Sequence, residues 1–154
     1  MEACQQILNV LKDPDNWVLT GDFDRRNITF RREAPLHLSD RFIERTVSIE
    51  VCKGANPRNQ RSLARILNFE IVNVHLWIII QPLTDERYQE LLDSRQAVQE
   101  LIDDIILTNQ RSIAGIKYVT SRNWMPVTSI GQDEIPDSLH SVNELVCHYQ
   151  TLRV

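Results

Sequence analysis

Glycine is scarce in this 154-residue chain, with four in all, and that scarcity removes a class of functions. Neither a G-x-G-x-x-G nor a P-loop pattern occurs, so no glycine loop is available to cradle a nucleotide phosphate. Long apolar runs are also missing. The most apolar stretch, Val74 to Ile80, contains His75 and is closed by Gln81-Pro82, far short of the roughly 20 residues that span a bilayer. No basic segment precedes an apolar stretch near Met1-Glu2, so neither a membrane partner nor a secretory signal is expected. Cysteine is sparse too. Cys4, Cys52 and Cys147 are odd in number and widely spaced, which predicts reduced, mostly buried thiols in a cytosolic setting rather than a disulfide framework. No excess of basic charge exists: the net charge of −4 gives no global support for nucleic-acid binding.

What remains is ordinary globular composition, 42% apolar and 25% charged, in a length that fits one domain over residues 1–154. Cys4, Ile7, Leu8 and Leu11 recur at i, i+3, i+4 and i+7, which predicts a short helix stopped by Asp13-Pro14. Trp17 to Thr20 and Asn27 to Arg32 read as short extended pieces, the latter with Ile28 and Phe30 on one face. Phe42 to Cys52 alternates most clearly. Val47, Ile49 and Val51 are expected inward and Thr46, Ser48 and Glu50 outward, so burial of one face suffices.

Phe69 to Ile80 reads as a long strand whose second face also turns apolar at Trp77 and Ile79, the mark of a central strand. Thr84 is placed to cap a helix running to about Leu107, with Asp85 and Glu86 at its positive end. Tyr88, Leu91, Leu92, Val98, Leu101, Ile102, Ile105 and Ile106 form its apolar stripe, and Glu90, Asp93, Glu100, Asp103 and Asp104 its acidic face. Ile116 to Thr120 and Ser141 to Leu152 read as strands, separated by an aromatic loop at Trp124-Met125-Pro126 and a polar, turn-like Gly131 to Asp137. The order predicts an α+β domain: a mostly antiparallel sheet with an N-terminal helix and one long amphipathic helix packed on it.

Catalytic and metal-binding patterns are absent from the sequence. His37, His75, His140 and His148 show neither H-E-x-x-H nor C-x-x-C spacing. Cys147 and His148 are neighbours, but in a strand adjacent side chains point to opposite faces and cannot act as a pair. Glu100, Asp103 and Asp104 share a helical face without a histidine partner, which favours a solvated or partner-facing surface over a metal or acid–base site. No catalytic residue, metal or cofactor is therefore expected, and the chain is read as a non-enzyme.

Charge layout is the more informative feature. Residues 53–68 form a long loop holding Lys53, Arg58, Arg61 and Arg65 without a single acid, and Arg25, Arg26, Arg31 and Arg32 extend the basic block. A loop of that length in a compact domain commonly has a task. The arginines could neutralise phosphates, but no aromatics are interleaved to stack bases. The acidic block lies apart, between residues 85 and 104. If one subunit's basic loop meets the next subunit's acidic helix, a head-to-tail contact results, and such a contact closes into a ring when the rotation permits. The candidate interface is therefore Lys53, Arg58, Arg61 and Arg65 on one side and Glu90, Asp93, Glu100, Asp103 and Asp104 on the other.

This order of elements resembles the tail-terminator and tail-completion proteins of tailed bacterial and archaeal viruses. The matching pieces are Ala3 to Lys12, Thr46 to Cys52, Val74 to Ile80, Asp85 to Leu107 and Glu144 to Tyr149, covering nearly the whole chain through apolar alternation rather than a chemical signature. The resemblance implies a homo-oligomeric ring, often a hexamer, at the head-proximal end of a tail tube. Such a ring stops tube growth, meets the other tail and connector proteins, and lets DNA pass through its lumen. It further implies synthesis in the host cytoplasm and residence in the virion. Residues 120 to 140 look extended relative to the pattern, which leaves terminator, head–tail adaptor or another tail component open. The second reading is a small nucleic-acid-binding or regulatory domain acting through Arg58, Arg61 and Arg65.

Overall fold

A computed structural model describes residues 3–17, 28–32, 47–54, 69–79, 85–113, 116–121, 123–127 and 138–149. The first element, α1 (Ala3–Lys12), buries Ala3, Cys4, Ile7, Leu8 and Leu11, the stripe that the spacing predicts. Its C-terminal carbonyls, which a helix leaves without internal partners, are taken up by side chains of the following turn. The Trp17 indole N–H donates to Leu11 O at 2.6 Å and the Asn16 amide donates to Val10 O at 2.8 Å. Asp13 caps the short 3-10 turn Pro14–Asn16, its carboxylate accepting from the Asp15 N–H at 3.0 Å. Proline at the head of that turn cannot continue α1, so the chain leaves the helix there.

Strands β1 (Ile28–Arg31), β2 (Val47–Lys53), β3 (Phe69–Ile79), β4 (Ile116–Ser121), β5 (Met125–Pro126) and β6 (Ser138–Tyr149) form one sheet. The order is β1-β2-β3-β6-β4, with β5 also paired to β6. β1 runs parallel to β2, and the other four pairings are antiparallel. The sheet is thus mostly antiparallel, and the long strand Phe69–Ile79 lies at its centre, as its two-sided apolar character predicts. Between β3 and β4 runs α2 (Asp85–Asn109), followed by a 3-10 turn at Gln110–Ser112. The α+β architecture stands.

Both helices contribute to one core. Val47, Ile49 and Val51 of β2, Val72, Val74, Leu76 and Ile78 of β3, and Leu145 and Cys147 of β6 join the buried face of α1 and Val98, Ile102, Ile105 and Ile106 of α2. Register explains the grouping: Ile49 pairs with Leu76 and Val51 with Val74, and paired residues share a face. Each fully buried aliphatic side chain contributes about 1.5–3 kcal/mol relative to exposure. Trp17 meets Phe30 edge-on, with ring centroids 5.9 Å apart, and so joins the exit of α1 to β1.

One expectation needs correction. Ser48 and Glu50 of β2 point away from the helices, yet both are buried, Glu50 to 1% exposure. From Val47 to Val51, β2 is therefore covered on both faces. In register, Glu50 is flanked by Arg31 of β1 and His75 of β3. A cation on an adjacent strand offsets part of the cost of holding a carboxylate away from water. The expected capping residue Thr84, the extended piece at 18–20 and the turn at 131–137 lie outside the described residues.

Candidate functional site

On α2, Glu90, Asp93, Ala97, Glu100, Asp104 and Leu107 are all exposed, and they succeed one another at intervals of three and four residues. That alternation keeps side chains on one line of a helix, so four carboxylates share a single outer stripe ending in Leu107. Leu107 is 61% exposed. Local partners of the stripe are neutral: the Gln96 amide donates to Glu100 at 3.3 Å and the Gln89 amide to Asp93 at 3.5 Å. With like charges repeated and side-chain amides as their hydrogen-bond partners among the described residues, the stripe concentrates negative charge along one side of the helix.

Asp103 does not belong to that stripe, although the helical spacing alone assigns it there. It turns toward the sheet, where β6 presents the buried polar residues Ser141 and Asn143 instead of aliphatic ones. The Trp124 indole N–H donates to both Asp103 oxygens at 3.1 Å, and the Asn143 amide donates to Oδ1 at 3.1 Å. Asn143 also donates to Ser121 Oγ at 2.7 Å, and one turn earlier the Gln99 amide donates to Ser141 Oγ at 2.8 Å. Burial raises the Asp103 pKa above the ordinary aspartate value. Hydrogen bonds from Trp124 and Asn143 oppose that rise, and Asp104 and Glu100 add to it. The residue is an anchor of α2 on β6.

Of the basic set, Lys53 is exposed at the end of β2 and pairs in register with Val72. Arg58, Arg61 and Arg65 lie outside the described residues, as does most of the loop 53–68. Just before that loop, Gly54 donates its backbone N–H to Ile71 O at 2.9 Å. A Cβ at Gly54 would collide with the Ile71 side chain, so only glycine allows this close approach.

No family model matches this chain, and no curated protein matches it. The chemistry of the site therefore has to be read from its own residues.

The sheet face turned away from the helices carries the histidines. His75 Nδ1 lies 2.9 Å from His140 Nε2, and the His140 ring stacks on Trp77 with centroids 3.8 Å apart and planes 10° from parallel. Further along β6, His148 stacks on Tyr118 at 4.2 Å. These stacks follow from register, since His140 pairs with Trp77 of β3 and His148 with Tyr118 of β4. Sixty-five residues separate His75 from His140 in the chain, so no local spacing motif could reveal them. Cys147 points into the core beside Cys4, and burial pushes its thiol up to about 12, with Glu70 adding to the shift. Its neighbour His148 lies on the other face, as strand alternation predicts. Among the described residues, no group of three or more His, Cys, Asp or Glu side chains converges as a metal centre, and no helix is long and apolar enough to cross a membrane.

Proposed function

We propose that this chain is a virion structural subunit, a tail terminator or tail-completion protein that builds a ring between tail tube and head–tail connector. The observation that carries the reading is the exposed acidic stripe Glu90, Asp93, Glu100 and Asp104 along the outside of α2. A line of carboxylates held rigid by a helix anchored on the sheet is a register-setting surface. It suits a basic partner better than solvent alone, because a repeated charge gives orientation and partner choice. The basic partner in this reading is the Lys53, Arg58, Arg61 and Arg65 segment of the next subunit. Order of elements supports the same assignment: an N-terminal helix, strands, a long helix after the central strand and a closing strand recur in the ring proteins that the sequence resembles.

The role needs only protein–protein contacts, with DNA passing through the lumen. It is tested by adding the purified chain to the polymerising tube protein of the same virus. The expected result is tubes that stop growing and carry the chain at one end, seen by electron microscopy. Undiminished tube growth with no chain at the tips contradicts the assignment. Tight, strongly salt-dependent retention of DNA by the isolated subunit would favour the nucleic-acid-binding reading instead.

A further inference from the structure

We propose that His75, His140 and Trp77 form a two-step proton switch on the sheet face turned away from the helices: the imidazole pair keeps its link through a first added proton and parts on the second. His75 Nδ1 and His140 Nε2 lie 2.9 Å apart, so in the neutral pair one of them carries a hydrogen and the other accepts it. The ring centroids are 5.1 Å apart, with planes 27° from parallel. His140 is at the same time stacked on Trp77, with centroids 3.8 Å apart. Both imidazoles are half-buried and therefore within reach of solvent protons, whereas Trp77 is buried.

A first proton goes to a nitrogen that does not face the partner ring. The charged ring then donates to the neutral one, and a charge-assisted hydrogen bond takes the place of a neutral one. A second proton would put hydrogens on both facing nitrogens. Two N–H groups cannot share a 2.9 Å gap, and two like charges at ring contact repel, so the rings separate. The two steps belong to the pair rather than to either ring, and they fall more than about one pH unit apart. Surroundings decide where the first proton resides. Among the described residues on this face, Glu50 of β2 stands opposite His75, with Arg31 of β1 behind it. Cys52 of β2 and Glu144 of β6 flank Asn73, two residues along β3. On the other side β5 brings only Met125 and Val127 against β6, and neither is charged. By register both carboxylates lie closer to His75 than to His140, so the first charge sits on His75. The second goes to His140 and turns the ring stacked on Trp77 into a cation that has lost its partner. Backbone pairing of β3 with β6 is untouched by either step, so acid changes the charge and cover of this face while the sheet persists.

Histidine-ring NMR of the intact chain, titrated from about pH 8 to about pH 4, tests the switch alongside tryptophan fluorescence and far-UV circular dichroism. The expected result is two inflections shared by His75 and His140, more than about one pH unit apart, with a single step for His148. Tryptophan emission should change at the lower step and not at the upper one, and W77F should abolish that change. Circular dichroism should stay constant through both steps. In H75Q the remaining His140 should titrate once. Should H75Q fail to fold, the shared inflections of the unaltered chain decide. Independent single titrations of His75 and His140, an emission change that survives in W77F, or loss of secondary structure at the lower step would overturn the proposal.

Discussion

Asp103 illustrates how a single carboxylate can be structural and still titrate. Its pKa is raised, so the native state disfavours the ionised form relative to the unfolded chain. Stability from this group is fully present below the unfolded pKa and is lost as pH rises through the raised folded value. D103N removes that penalty at neutral pH and keeps an oxygen to accept from Trp124. The variant should match or exceed the natural chain in urea midpoint at pH 7, and lose ground to it as pH falls through the carboxylate range. A loss of more than about 1 kcal/mol at pH 7 would show that the charge itself is needed for the bonds from Trp124 and Asn143.

Two other residues allow equally local tests. Cys147 is buried with its thiol pushed up to about 12, so the reactive thiolate is scarce at pH 8. Cys147 should resist an aromatic disulfide reagent in the folded chain and react on denaturation, while the half-buried Cys52 reacts first. Labelling of Cys147 at a rate equal to Cys52 would refute that ordering. At Gly54, alanine places a methyl group against Ile71. An overpacking cost of about 1–3 kcal/mol is expected in chemical denaturation, and G54A as stable as the parent would mean that β3 yields there.

At the level of elements, α2 carries two jobs on different sides. Val98, Ile102, Ile105 and Ile106 face the core, and Ile102→Ala should cost about 2–5 kcal/mol through the cavity it leaves. Neutralising the stripe with E90Q, D93N, E100Q and D104N together should leave thermal stability within a few degrees, because all four are exposed. Thermal melts of both variants separate the two roles: a large loss from the stripe variant would make the carboxylates part of the fold instead of a surface.

The elements were largely legible because apolar period decides them. Cys4, Ile7, Leu8 and Leu11 define α1, and Val47, Ile49 and Val51 define β2, all as spacing predicts. Three-dimensional placement was less legible. Asp103 sits one residue after buried Ile102, at the flank of the apolar stripe, and its direction was decided by polar Ser141 and Asn143 forty residues away. Burial of Ser48 and Glu50 depends on what covers the second face of β2, which alternation within one strand cannot reveal. The pairing of His75 with His140 depends on the β3–β6 register, fixed only when the sheet closes.

For the whole molecule, the proposal is that subunits assemble head to tail through complementary charge. The chain carries a net charge of −4, and the outer stripe of α2 concentrates negative charge along one line. Exposed ion pairs of this kind are individually weak and are screened within a Debye length of about 8 Å at physiological salt. A ring made from them is therefore expected to depend on concentration and to dissociate as salt rises. Sedimentation of the purified chain over a wide concentration range, at low and high salt, tests this most directly. The expected result is one discrete ring-sized species at low salt that reverts to monomer at high salt and is lost in the stripe-neutralised variant. A monomer at every concentration and salt, or a ring indifferent to both salt and the stripe substitutions, would contradict it.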